Sequence, residues 1–432
     1  MRRKQIAMLL LAGLLCHGAW AQEQLQINLQ EAKNYALQFN KTIANSGLAV
    51  EKSQEQIWEA IASGLPQVDA TADYTNALGA EISIQFAEGQ PASQIPIDPT
   101  SSFNLTVGQL LFSANYWVGV QTAKLYQKLS EKNQTKTERD VVSQVIESYY
   151  LVVVAGETLE ILQENVNNLQ AIYDKTAPMV EFGVTEKVEL DQLLVQLNSL
   201  KNAVKSAERQ HVMAKNMLRL QLGVDADTEL LLTEELENLL ANEDFDGQLL
   251  EGFNLSENVD YQLMEAQGAL QEKQVEMQKA NYLPTLSSYY SFNHKILKPA
   301  FDMAPNHVVG LQMNIPIFSS GERRSKVRSA KIDLETYRNE QALLEDQLSI
   351  QHKQLNFNLK SALENYRNQQ TNIEVSREVY KNLKQKYDQG MISSLELTSA
   401  DNNYLKAESD YLQAALELLQ AQNQLNTLTG KL

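Results

Sequence analysis

The 432-residue chain contains a single cysteine, Cys16, and its position removes it from the mature protein. Arg2, Arg3 and Lys4, the apolar stretch Ile6 to Leu15 and the site Ala19-Trp20-Ala21 read as an export signal over residues 1–21. Gly13-Leu14-Leu15 is a poor lipoprotein box, so no lipid anchor is expected. A mature chain without cysteine excludes disulfides, thiol catalysis and cysteine metal ligands. Positive charge is scarce as well. The net charge of −17 falls to −20 once the three leader cations are gone, which argues against a nucleic-acid partner. The apolar stretch of the leader is shorter than the ~20 residues of a spanning helix, and no later segment is apolar enough. An exported, acidic chain of this kind is periplasmic, secreted or an outer-membrane strand barrel. No nucleophile–base pair, phosphate loop or H-E-x-x-H occurs, so no enzyme and no cofactor are expected. His211 sits on a helical seam, His294 and His307 flank a loop without nearby acids, and His352 is alone. None makes a metal site.

What is present is a duplication. Gly183 is separated from Gly390 by the same offset that separates Gly223 from Gly430. The interval from Asn40 to Pro66 recurs from Asn258 to Pro284. The unit is too long for a solenoid repeat and implies one architecture built twice. The first repeat covers 22–223 and the second 254–432. Between them, 224–253 is an acidic joint. Its stretch 225–246 holds nine carboxylates and no Lys or Arg, as a solvated linker or belt would.

Each repeat combines two periods. Val141, Val145, Ser148 and Val152 begin a seam of alternating 4 and 3 spacings that reaches Tyr173. Leu190 to Leu218 and Leu397 to Leu428 carry similar seams, the last with alanine at 400, 407, 414 and 421. Such regularity predicts coiled-coil packing. Pro178 is the only proline from 113 to 180, a stretch that as helix would reach on the order of 100 Å. Alternating strands are expected at 67–77, 101–112, 285–293 and 307–318, each of the ~9–11 residues that suit a tilted membrane strand. Tyr290, Phe292, Leu311, Met313 and Ile315 would face lipid. Gly- and Pro-rich connections at 78–100 and 294–306 would face outward. Trp58, Trp117, Tyr282, Tyr289 and Tyr290 suit an interfacial belt. Arg323, Arg324, Lys326 and Arg328 suit a water-facing cluster at its boundary. Four strands cannot close a barrel, and open edges in lipid leave backbone groups unpaired, so several chains must combine.

The duplicated layout, the Leu-Pro before the first strand of each half, the line NIPIFSSGERRSKVRSA at 314–330 and the glycines at 183 and 390 resemble the outer-membrane efflux protein family, the TolC-like channel-tunnels. The resemblance covers nearly the whole mature chain. It implies a mixed fold: a homotrimer closing one twelve-stranded transmembrane β-barrel, with duplicated coiled-coil helices forming a hollow periplasmic α-helical barrel. It further implies a passive exit duct for efflux or secretion. Gly183 and Gly390 would mark the helix turns where a periplasmic adaptor, a membrane fusion protein, docks and links the duct to an inner-membrane transporter.

The resemblance also points to a constriction at that tip. Glu189 and Glu396 stand six residues beyond the glycines. A ring of carboxylates would favour cations, and the alternative is a surface charge near a helix start. Tyr387 matches a tyrosine that helps hold the closed tip in some members, or it simply packs between helices. Where an acid is expected the chain has Ser399, with Asp401 about 200° away on the helix. Where a basic partner is expected it has Ile392, so closure relies on other contacts. The competing class is a periplasmic or secreted coiled-coil spacer without a channel.

Overall fold

The expected order of helix, strand, strand, long helix, turn and long helix occurs twice in the computed structural model, which describes residues 24–85, 89, 91–298 and 302–431. The expected export signal lies outside the described residues. The first repeat runs β1 (Gln24–Ile27), α1 (Leu29–Phe39), α2 (Lys41–Ala62), β2 (Gln67–Thr75), β3 (Glu81–Ile84), β4 (Ser93–Pro96), β5 (Thr100–Phe112), α3 (Ala114–Glu181) and α4 (Lys187–Leu222). The joint contributes β6 (Glu229–Leu232), α5 (Leu236–Ala241) and α6 (Phe245–Leu249). The second repeat runs α7 (Val259–Ala280), β7 (Thr285–Leu297), β8 (His307–Asn314), α8 (Glu322–Asp388) and α9 (Ser394–Thr429). No helix among the described residues is long and apolar enough to cross a membrane.

The duplication holds at the level of single hydrogen bonds. The Asn40 side-chain oxygen accepts from the Thr42 and Ile43 amides at 2.7 and 3.2 Å, capping α2. Its nitrogen donates to the Gln221 carbonyl at 2.7 Å, in the last turn of α4. Asn258 caps α7 through the Tyr261 amide at 3.0 Å and donates to the Leu428 carbonyl of α9 at 2.9 Å. Each asparagine thus joins the start of its repeat to the end of the same repeat. Gly223 and Gly430 follow those ends in the left-handed region, with φ of 77° and 81°. A Cβ on Gly223 would stand 2.4 Å from the Phe39 carbonyl oxygen.

The chain divides into two compact units. The first comprises Met1–Gly47, Gln134–Tyr261 and Leu344–Leu432. Its core joins Val145, Tyr149 and Val152 of α3, Leu218 and Leu222 of α4, Leu359 of α8, and Leu418 and Leu419 of α9. The seam residues read from the sequence in α9 are all buried or half-buried. The acidic joint belongs to this core instead of lying free in solvent. Leu230, Leu236, Leu239 and Phe245 are buried, while several of its acids point outward. β6 pairs in parallel with β1, Gln24 opposite Glu229 and Ile27 opposite Leu232. Glu234 accepts from the Leu29 amide at 2.7 Å, and Asp246 pairs with Arg367 at 2.6 Å.

The second unit, Leu48–Asn133 and Gln262–Leu343, holds an antiparallel sheet in the order β2-β5-β7-β8. Its register sorts side chains by face. Val68, Val107, Tyr290 and Val309 form one cross-strand row, and Ala70, Leu105, Phe292 and His307 the next. Leu311 and Met313 continue this apolar face. The other face carries Asp69, Thr106 and Ser291 in one row and Thr71, Asn104 and Asn293 in another. Alternation with a period of two has produced one apolar and one polar surface.

The boundaries differ most from the expected ones in three places, with β2 also ending two residues early at Thr75. β7 extends to Leu297, four residues beyond the expected end. The strand expected over 307–318 ends at Asn314, so Ile315, expected on a strand, lies just past it. Pro316 offers no amide to a ladder, and its carbonyl accepts instead from Arg323 at 2.7 Å. The connection 78–100 is not plain loop, since β3 and β4 pair within it as a separate two-stranded ribbon.

Candidate functional site

The turns that join the long helices of each repeat have the same construction. After α3, the Val184 amide donates to the Met179 carbonyl at 2.8 Å and the Gly183 amide to Val180 at 3.0 Å. After α8, Met391 donates to Lys386 at 2.9 Å and Gly390 to Tyr387 at 3.0 Å. Both glycines have φ of 72°. This is the Schellman arrangement, in which a glycine in the left-handed region lets the chain satisfy the last carbonyls and leave the helix axis. Both turns present apolar side chains to solvent: Phe182, Val184 and Val188 on the first, Met391 and Leu395 on the second.

The structure separates the four residues expected at a constriction. Glu189 is half-buried, and its carboxylate accepts from the Ser394 hydroxyl at 2.7 Å, joining the start of α4 to the start of α9. Glu396 and Ser399 are exposed and share a groove whose walls include Val375, Val379 and Leu383 of α8. Ser393 caps α9 by accepting from the Glu396 amide at 3.3 Å. Tyr387 is buried within its own chain. Its hydroxyl lies 3.1 Å from Thr176 Oγ1, and Lys175 sits 4.7 Å from its ring centre while pairing with Asp388 at 3.0 Å. In this chain Tyr387 ties α8 to α3, and Glu396 and Ser399 stay exposed along the groove beside α8.

Sequence reasoning set Asp401 aside, and the structure gives it a place. It is 3% exposed on α9, with one carboxyl oxygen lacking any partner. Burial pushes its carboxyl up to about 6, Glu408 pushes the same way, and the Tyr380 hydroxyl and Lys384 oppose it. Glu408, one heptad on, is also buried with one unpartnered oxygen, and burial raises it too, against the pull of Tyr404 and Arg377. Tyr380 stacks on Tyr404 with ring centres 5.7 Å apart, and Arg377 Nε donates to the Tyr404 hydroxyl at 3.1 Å. The signal was legible: Leu397, Asp401, Tyr404, Glu408 and Tyr411 alternate by 4 and 3, a second seam beside the alanine one.

In the second unit, the register puts Tyr290, Phe292, Leu311 and Met313 on one face, as their alternation predicts. Leu311 is 72% and Val309 79% exposed in the single chain, a poor arrangement for water. His307 accepts from or donates to the Tyr290 hydroxyl at 2.9 Å, and Phe292 lies against both His307 and His294. No cluster of His, Cys, Asp or Glu suited to a metal occurs among the described residues. Trp58 and Trp117 are exposed, and Arg323 lies over the Tyr282 ring at 5.4 Å.

Comparison with known proteins gives a consistent result. The sequence profile described as outer membrane efflux protein matches residues 32–224 and 254–431, leaving out only the joint between the repeats and the two ends. No curated sequence matches the chain. Among solved structures it is similar to the CmeC outer membrane channel of Campylobacter jejuni, at 18% identity over 94% of this chain and 86% of that one, with a TM-score of 0.72. The outer membrane protein VceC of Vibrio cholerae matches at 13% identity over 93% of this chain and 96% of that one, with a TM-score of 0.71. The open state of the MtrE outer membrane channel of Neisseria gonorrhoeae matches at 16% identity over 93% and 89%, with a TM-score of 0.70.

Proposed function

The chain belongs to the outer membrane efflux protein family, and from that premise we propose that it forms a homotrimeric, passive exit duct of a tripartite efflux or type I secretion system. Family members are channels of the outer membrane that extend into the periplasm and work with adaptors and transporters. They are not enzymes.

One observation supports the trimer above others. The sheet has an apolar face and a polar face, and its outer strands β2 and β8 each leave one edge without a partner among the described residues. In lipid an unpaired edge costs several kcal/mol per backbone group. Direction alternates along the order β2-β5-β7-β8, so the β8 edge of one copy meets the β2 edge of the next in antiparallel sense. Three copies would close twelve strands, with the apolar face to lipid and the polar face to a water-filled bore. A soluble spacer would leave Val309, Leu311 and Met313 in water for no return.

The Gly183 and Gly390 turns would receive the adaptor through their exposed apolar side chains, and adaptor binding would open the helix ends. Glu396, exposed beside Ser399, is the better candidate to line the narrow end of the bore, and Glu189 is already engaged by Ser394. The mature protein should run as a trimer in mild detergent and conduct in planar bilayers. A monomer without conductance would overturn the reading. Glu396→Gln should lower the cation preference of the pore. Unchanged selectivity would remove Glu396 from the lining.

A further inference from the structure

The ribbon formed by β3 and β4 is amphipathic in a way the duct does not require. Ile82 stands opposite Ile95, and Ile84 opposite Ser93. The Ile97 amide donates to the Ala80 carbonyl at 3.0 Å, extending the ladder by a further rung. With a period of two, Ala80, Ile82, Ile84, Ile95 and Ile97 share one face, while Glu81, Ser83 and Gln94 share the other. The four isoleucines are 37–51% exposed, so the described residues cover them only in part. Two strands of four residues make a ribbon that is marginal in water, and three or more strands or a packed face are needed for stability. The ribbon therefore calls for a cover.

Its attachment says what the cover is. The ribbon grows from the connection between β2 and β5, and β2 is an edge strand of the sheet. If a second copy lays its β8 along that edge, its own β7–β8 connection comes up beside this ribbon, because both connections leave the sheet at the end away from the helices. The last two residues of β7 and that connection expose apolar side chains of their own: Ile296 at 63% and Leu297 at 45% on the strand end, and Met303 at 81% beyond it. We propose that the isoleucine face of the β3–β4 ribbon docks on Ile296, Leu297 and Met303 of a neighbouring copy and latches the outer rim of each seam between protomers. The latch rests on the trimeric reading above, since without a neighbour at the β2 edge it has no receptor.

The latch adds to the barrel ladder a contact between side chains alone. It would resist the seam peeling from its outer end. It also assigns a role to the isoleucines, which neither conduction nor adaptor docking uses.

The test uses the full mature chain, which lacks cysteine under the expected cleavage, extracted as the assembled protein. Native mass first establishes whether the wild type is a trimer, and a monomer there overturns the trimeric reading itself. Given a trimer, the double variant Ile82→Cys with Met303→Cys should yield covalent dimers and trimers on oxidation. Ser83→Cys with Met303→Cys, which puts the thiol on the polar face, should not. Ile82→Ser with Ile95→Ser should keep conductance and lower the temperature at which the trimer falls to monomers. A trimer with no link through Ile82, links formed equally through Ser83, or an unchanged dissociation temperature would overturn the latch and leave the isoleucine face to lipid headgroups or to the chain's own rim.

Discussion

Ionising Asp401 puts a carboxylate among Tyr380, Glu408 and the apolar seam of α9, with one oxygen unpaired. The folded chain holds the proton up to about 6, against 3.8 for the free side chain. The sign follows. Below about pH 4 both folded and unfolded chains are protonated, and the site costs nothing. Between pH 4 and about 6 only the folded chain keeps its proton, so stability falls as pH rises through that window and is flat above it. The ionised site costs on the order of 2–3 kcal/mol. Asp401→Asn should therefore raise the unfolding temperature near neutral pH and change it little below pH 4. Equal effects at both would mean that the charge is not the cause. Glu408 follows the same direction through burial, so the double variant Asp401→Asn with Glu408→Gln should flatten the profile further. The sequence showed where both carboxylates sit in the heptad, but not that Tyr380 and Arg377 would leave each with an oxygen unmet. Partner geometry across helices is a tertiary fact. The same holds for Tyr387, whose hydroxyl meets Thr176 from a helix of the other repeat.

Among elements, the four αL glycines at helix ends were the most legible feature, because a left-handed residue there leaves a chemical mark in the sequence. They are not equivalent. Gly390 has open space around a would-be Cβ, so Gly390→Ala meets only the left-handed penalty, about 1–2 kcal/mol. At Gly223 the Cβ would also press on the Phe39 carbonyl at 2.4 Å, and backbone must move. Gly223→Ala should thus destabilise clearly more than Gly390→Ala in urea unfolding, and a reversed order would show that the α4–α1 approach is soft. The long strands were legible through alternation and the helices through heptads. The ribbon of β3 and β4 was not, since four residues give too few alternations to stand out. The β1–β6 pair was hidden for another reason. One strand opens the first repeat and the other lies in the joint beyond it, and no local pattern announces a parallel partner across so long a stretch of chain.

At the scale of the whole molecule, membrane residence turns on which face of the sheet meets lipid. Leu311 and Gln312 are neighbours on β8 and look to opposite sides. Leu311→Lys would set a charge against hydrocarbon, at about 2–4 kcal/mol near the midplane, and should reduce the protein recovered from outer membranes. Gln312→Lys, on the polar face that the proposed barrel would turn to its bore, should be tolerated and register in conductance. Equal recovery of both would reverse or abolish the assigned faces. The fold could be read from one chain because its periods are local. The proposed assembly rests on what the described residues of one chain leave undone, the outer edges of β2 and β8.

The parallel pair of β1 with β6 carries a consequence for biogenesis. If the expected leader directs export, threading from the leading end delivers Gln24–Ile27 early, and Glu229–Leu232 only after the rest of the first repeat has passed. Until then the first strand has no strand partner, and only side chains such as Tyr149, whose hydroxyl reaches the Ile27 carbonyl at 3.4 Å, can hold it. The β1–β6 pair can therefore close only once the joint has arrived. Periplasmic chaperones would meet a half-emerged chain with its opening segment still loose, and a bulky fusion ahead of Gln24 would burden that closing step more than any later one.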